Sequence, residues 1–253
     1  MPSFKALLSY DGTAYFGWQK TKTGPSIQES VSQAIHRITG ETVLPEAASR
    51  TDRGVHAEGQ SIQFHLEGAF DPRKLQRGLN AVLAPDIRAV HLEAAPDRFH
   101  PTIDAAAKEY HYRLSLGPAQ DPLLRLYSWH FRYPLDLAKM ELAAKDLLGT
   151  RDFTAFANEP EKDPICTLQE IRIEISEEGR LQIAMIGNRF LYKMARTLAG
   201  TIVYIGCGKL PPDCIPALFT SRNRKMAGIT APAHGLYLYQ VFYNNHPSGI
   251  VAP

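Results

Sequence analysis

The chain has 253 residues, of which 44% are hydrophobic and 21% charged, values that are typical of a folded globular protein and argue against disorder. Its net charge is only +2, so a nucleic-acid partner does not follow from the total charge. No apolar run is long enough to span a bilayer and no secretory leader is visible, so we expect a cytoplasmic protein. The three cysteines form no C-x-x-C pair, which favours free thiols.

The first half of the chain predicts the element order β-α-β-β-α-β. Ser26 followed by Glu29 has the capping-box spacing that starts a helix, and Asp71 before Pro72 predicts the start of a second one. Apolar and polar residues alternate over 61–66, as in a half-buried strand. The four strands are expected at residues 4–10, 43–49, 61–66 and 87–93.

The second half predicts another α+β unit of similar size. Asp136 can cap a helix that runs to Leu148, with Gly149 as its stop. An apolar stripe with helical spacing predicts a long amphipathic helix from Arg189 to Tyr204. Its strands are expected to include an opening strand in which Tyr110, Tyr112, Leu114 and Leu116 share one face, followed by 167–176, 180–186 and 236–243. The chain is therefore predicted to be α+β, with two similar halves, 1–101 and 102–253, around one mostly antiparallel sheet.

Positive charge is concentrated between residues 186 and 226. This stretch holds seven lysines and arginines against a single acid, Asp213, and such an excess is typical of a surface that meets phosphate. On the predicted helix, Arg189, Lys193 and Arg196 fall at i, i+4 and i+7, so they would form one cationic stripe. A solvated surface without a nucleic-acid partner is the alternative interpretation.

The most informative segment is the polar stretch from Ser49 to Ala57, between two predicted strands. Asp52 lies between Arg50 and Arg53, and neighbouring cations favour the charged form of a carboxylate, which a nucleophile or a base requires. An aspartate in a T-D-x-G turn also commonly bonds backbone amides, so the pattern alone leaves a structural role open.

This segment strongly resembles the R-T-D-x-G-V-H-A signature of the TruA family of tRNA pseudouridine synthases, in which the aspartate is catalytic. Further stretches match the same family in the same order, so that the resemblance covers about residues 4 to 243. They are residues 16–19, 108–112, 187–196 and 233–238. The resemblance implies two ferredoxin-like halves, similar to RRM domains, with a basic cleft between them. It also implies a homodimer that acts on uridines 38, 39 and 40 in the tRNA anticodon stem-loop.

The resemblance assigns a role to individual residues. Asp52 matches the catalytic aspartate and Arg196 its basic partner. Tyr110 matches the tyrosine that packs on the target base, and Leu236 the apolar residue that lines the pocket. Arg50 matches the arginine proposed to fill the space left by the everted base. Three positions depart from the family pattern, namely Ser49 for glycine, Arg53 for a small residue, and Ala195 for a larger apolar residue.

The chemistry implied by the resemblance needs no cofactor, because uridine is isomerised and nothing is oxidised. A metal-dependent hydrolase is the first rival, with Asp52 and His56 as ligands completed by His65 or His100. The histidines and cysteines lack the tight spacing of zinc ligands, so no metal is expected and His56 is predicted to stabilise the loop by hydrogen bonding. The second rival is a non-catalytic RNA-binding module, for which an acid beside phosphates would be unfavourable.

Overall fold

The structure, a computed structural model, describes residues 1–159 and 162–243. It confirms the α+β class. The strands are β1 (Ser3–Tyr10), β2 (Glu46–Ala47), β3 (His56–His65), β4 (Ile87–Ala95), β5 (Ala105–Leu116), β6 (Trp129–Phe131), β7 (Gly149–Asp152), β8 (Ile165–Ile175), β9 (Arg180–Gly187) and β10 (Leu236–Tyr243). The α-helices are α1 (Ile27–Thr39), α2 (Pro72–Val82), α3 (Leu137–Asp146), α4 (Met194–Gly206) and α5 (Cys214–Ser221).

Each half has the strand order of a ferredoxin-like fold. The first half runs β1-α1-β2-β3-α2-β4 and its strands lie in the order β4-β1-β3-β2, while the second runs β5-α3-β8-β9-α4-β10 and lies in the order β10-β5-β9-β8. Both orders are fourth, first, third, second. This shared order confirms the two predicted halves. The predicted division at 101 and 102 falls in the connection between β4 and β5, and as a domain boundary it stays a prediction.

The two halves join edge to edge into one sheet. β3 of the first half pairs with β10 of the second in parallel, with His56 opposite Tyr237 and Ala57 opposite Leu238. β10 then pairs antiparallel with β5. Because β3 and β10 run in the same direction, their N-terminal ends lie at the same edge of the sheet. The segments that precede these two strands therefore meet.

The predicted helix starts are confirmed by their caps. The side chains of Ser26, Asp71 and Asp136 each accept the backbone N–H of the residue three positions later. The helices bury their apolar faces: α1 and α2 pack on each other and α2 on β4, whereas α3 packs on α4 and β8. No α-helix in the described part of the chain is long and apolar enough to cross a bilayer.

Three of the predicted boundaries that were wrong lie in β2, β3 and α3. The strand expected over 43–49 is limited to β2, because Ser49 leaves the ladder to begin the polar loop. The strand expected from Ser61 begins at His56, where pairing with β1 and β10 already starts. The helix expected to reach Leu148 ends at Asp146, and Gly149, at φ 98°, instead opens β7.

Candidate active site

The loop that carries Asp52 is held in place by the loop between β1 and α1. The N–H of Trp18 donates to the carbonyl of Thr51 at 3.0 Å, and the N–H of Gly54 donates to that of Tyr15 at 3.3 Å. Gly17 lies so close that a Cβ there would meet the Thr51 carbonyl oxygen at 2.6 Å. The glycine is needed for this close approach as well as for its positive φ of 96°. Trp18 itself is buried.

Asp52 forms an ion pair with Arg196, which lies in the first turn of α4. The Nη1 atom of Arg196 donates to Oδ2 of Asp52 at 2.8 Å. The two side chains are only 14% and 17% exposed. The Nε atom of Arg196 donates to the carbonyl of Ala231 at 2.7 Å, so the guanidinium is held from both sides. A charge-assisted hydrogen bond in this setting stabilises the negative charge on the carboxylate.

Aromatic and apolar side chains form the walls beside this pair. Tyr110 on β5 is buried, and its hydroxyl lies 2.6 Å from that of Ser49. Burial raises the pKa of the Tyr110 phenol well above its ordinary value, so that it stays neutral. Phe190 meets the Tyr110 ring edge-on, with the centroids 4.9 Å apart. Leu236, the first residue of β10, is also buried and lines the same space.

These groups enclose a cavity of about 830 Å³, which is large enough for a nucleotide with its flanking phosphates. Basic side chains at its lining include Arg50, Lys108 and Lys193. Arg50 is exposed and makes no hydrogen bond or ion pair with any residue in the described ranges. The cavity therefore combines an acid–base pair, an aromatic wall and free positive charge.

The predicted cationic stripe was wrong because α4 begins at Met194 and not at Arg189. Lys193 adopts a left-handed conformation, with φ at 59°, and so breaks the helical path before it. Arg189 lies outside the helix and forms an ion pair with Asp163 at 2.7 Å. Of the three cations, the structure brings Lys193 and Arg196 to the cavity and leaves Arg189 outside its lining.

The remaining positive charge between residues 186 and 226 is largely engaged. Arg222 pairs with Asp152 at 2.9 Å. Arg224 donates to Asn158, Thr230 and the carbonyl of Gly228, so it braces the chain that leads to Ala231. Much of the charge excess seen in the sequence is therefore structural.

His56 stabilises the loop region by hydrogen bonding, as predicted. Its Nδ1 atom accepts the N–H of Gly12 at 3.1 Å, and its Nε2 atom donates to the carbonyl of Leu126 at 3.0 Å. Burial lowers the pKa of His56, which favours this neutral form. His100 lies 3.2 Å from Glu46 instead. Within residues 1–159 and 162–243, no three histidine, cysteine or acidic side chains are grouped as metal ligands.

Sequence comparison decides the family. Residues 6–103 and 143–244 match the profile of a family described as tRNA pseudouridine synthase. The chain belongs to this family. It is similar to tRNA pseudouridine synthase A 2 of Protochlamydia amoebophila, with 45% identity over 96% of this chain and 95% of that protein. It is also similar to tRNA pseudouridine synthase A of Streptococcus equi subsp. equi, with 39% identity over 96% of this chain and 99% of that protein.

Family membership confirms the predicted enzyme class: the chain is an isomerase, a pseudouridine synthase.

Some cavity residues were not predicted. Lys108 and Phe190 lie within the stretches that carry the resemblance but were given no role, and the carbonyl of Ala231 has no sequence signal at all. Burial and the charge of Arg189 lower the pKa of Lys108 to about 8. A signal for Lys108 was available, since it lies two residues before Tyr110 and thus on the same face of β5.

Proposed function

We propose that the protein isomerises uridine to pseudouridine in the anticodon arm of tRNA, at positions 38, 39 and 40, with Asp52 as the catalytic residue. The observation that carries this proposal is the 2.8 Å pair between Asp52 and Arg196 inside a cavity walled by Tyr110 and Leu236. The relatives named tRNA pseudouridine synthase A support the tRNA substrate. Such a substrate also supports a cytoplasmic location.

The reaction requires few groups. The C–N glycosidic bond breaks, the uracil turns, and a carbon–carbon bond forms, while one proton leaves C5 and one is gained at N1. Because substrate and product have the same composition, no oxidant, reductant or cofactor is consumed. Asp52 serves as the nucleophile or base, Arg196 stabilises its charge, and the Tyr110 and Leu236 walls retain the detached uracil.

A uridine within a stem must leave the base stack before it can reach Asp52. Arg50 is suited to occupy the vacated position, because it is exposed, borders the cavity and lies two residues before Asp52. Lys108 and Lys193 are suited to meet the phosphates that flank the flipped nucleotide. A homodimer in which one tRNA contacts both subunits stays a prediction, which sedimentation of the free protein would test.

Asp52→Asn tests the proposal, because it keeps the shape of the side chain and removes the carboxylate. We expect no tritium release from tRNA labelled at uridine C5 and nearly unchanged tRNA affinity. Asp152→Asn is a matched control: Asp152 is also paired with an arginine, at 2.9 Å, and its side chain is 16% exposed. Full activity of Asp52→Asn would reject the assignment. A wild type that binds tRNA without releasing tritium would instead support the RNA-binding module.

A further inference from the structure

A buried amide on β3 contacts the loop that carries Asp52. Gln60 is completely buried. Its Oε1 atom accepts the N–H of Ser49 at 3.2 Å, and its Nε2 atom donates to the carbonyl of Ser49 at 2.6 Å. Both polar groups of one residue's backbone are thus bonded to one side chain.

The position of this clamp follows from the strand ladder. β2 pairs with β3 through Ala47 and Ile62, and the N–H of Ala48 still donates to the carbonyl of Ser61 at 2.9 Å. At Ser49 the chain leaves the ladder, so its N–H and carbonyl lose their strand partner. The Gln60 amide replaces that partner, and an apolar side chain at this position would leave two buried backbone groups unpaired.

A tyrosine extends the clamp to the other side of Arg50. The second hydrogen of Gln60 Nε2 points to the hydroxyl of Tyr10 at 3.3 Å, and this hydroxyl lies 2.8 Å from Oγ1 of Thr51. Burial raises the pKa of Tyr10 to about 12, so the phenol stays protonated, and either hydroxyl of the Tyr10–Thr51 pair can donate the hydrogen bond. Tyr10 and Thr51 are both buried.

We propose that Gln60 and Tyr10 are positioning residues for the reaction, because Gln60 holds the backbone of Ser49 and Tyr10 holds the side chain of Thr51. Arg50 lies between these two fixed points and Asp52 directly follows them. The clamp therefore directs Arg50 to the cavity and keeps Asp52 within 2.8 Å of Arg196. The inference rests on the proposed function, since it assumes that Asp52 performs the chemistry.

Gln60→Leu and Tyr10→Phe test the clamp, with Gln63→Leu as the matched control. Gln63 is also a buried glutamine of β3, but its amide donates to the hydroxyl of Ser3 at 2.9 Å and not to the loop. We expect Gln60→Leu to lower kcat by about ten- to a hundredfold, because small misplacements of reacting groups have effects of that size. The tRNA dissociation constant should stay within a few fold of wild type. Gln63→Leu should also lose thermal stability, through its bond to Ser3, and keep its kcat.

A double-mutant cycle separates positioning from general destabilisation. If both residues act through the same loop, combining Gln60→Leu with Tyr10→Phe should lower kcat by clearly less than the product of the single effects. Tyr10→Phe removes a single hydroxyl, so it keeps the test available if Gln60→Leu fails to fold. Thr51→Val should then reproduce the kcat of Tyr10→Phe.

The outcomes distinguish the two proposals. An inactive wild type, or an active Asp52→Asn, would overturn the proposed function. If wild type is active and Asp52→Asn is not, three results would overturn the clamp alone. The first is that Gln60→Leu and Tyr10→Phe have the same kcat as Gln63→Leu. The second is that these two variants change only the tRNA affinity. The third is that their effects on kcat multiply fully in the double variant.

Discussion

Arg196→Met tests whether the cation beside Asp52 serves the chemical step. The substitution keeps an unbranched apolar stem and removes the guanidinium. It deletes the 2.8 Å bond to Asp52 and the 2.7 Å bond to the carbonyl of Ala231. With side-chain exposures of 14% and 17%, water replaces the lost partner only in part. The carboxylate is then left without its counter-ion during catalysis.

The magnitude follows from the type of bond. A hydrogen bond to a charged group contributes about 1.5–3 kcal/mol. If all of that stabilisation is lost in the transition state, the rate falls by about 10- to 150-fold, at about 1.4 kcal/mol for each factor of ten. Arg196→Lys should be intermediate, because a single ammonium cannot hold Asp52 and Ala231 in the fork geometry of a guanidinium.

The assay is single-turnover pseudouridine formation on saturating anticodon stem-loops, with the target pair either matched or mismatched. Arg196→Met should be slow on both substrates. Arg50→Ala is the comparison, since Arg50 borders the same cavity and makes no bond to Asp52. It should fail mainly on the matched stem, where unstacking costs a few kcal/mol, and recover on the mismatched one.

Two results would refute this division of roles. One is a rate for Arg196→Met within about threefold of wild type, because this is less than the loss of one charged hydrogen bond. The other is equal rescue of both variants, or of neither, by the mismatch. Thermal unfolding of each variant is the control for loss of structure.

Two further predictions concern the other cations. Lys193→Ala should reduce the slope of log affinity against log salt concentration for tRNA binding by about one unit. Arg189→Ala should change this slope less, because Arg189 already pairs with Asp163. Equal slopes for the two variants would contradict this prediction. Because burial lowers the pKa of Lys108 to about 8, the lysine loses its charge as the pH rises through that value, so tRNA affinity should fall between about pH 7 and 9. Lys108→Met should flatten this pH profile, and an unchanged profile would exclude Lys108 from RNA binding.

Local sequence signals predicted the helix starts and most strands, because a cap or an alternation involves only neighbouring residues. Ser26, Asp71 and Asp136 cap their helices as expected, and the last strand has its predicted bounds, Leu236 to Tyr243. The joining of the halves through β3 and β10 depends on a parallel contact between residues about 180 positions apart, such as His56 and Tyr237. The single sheet shared by the two halves was predicted, but no local signal indicated which strands join them.

The candidate site was predictable to the same limited extent. The polar loop singled out Asp52 as a catalytic or a structural residue, and its pairing with Arg196 came from the resemblance, because no local pattern links residues this far apart. Gln60 gave no signal, since a buried glutamine on a strand becomes informative only when its partners are known. The role of Ser49 was likewise hidden: it stood out as a departure from glycine, and its hydroxyl contacts that of Tyr110.

The start of α4 shows why a periodic pattern can identify buried residues and still predict the wrong backbone conformation. Leu191 is buried like the helical residues Met194 and Leu198, so it extended the apolar stripe. Its carbonyl accepts the N–H of Met194 in a turn, and Lys193 then reverses the sign of φ. The interruption has a functional consequence, because the helix begins at the cavity lining. The positive end of its dipole therefore lies at the lining of the cavity that also contains Asp52.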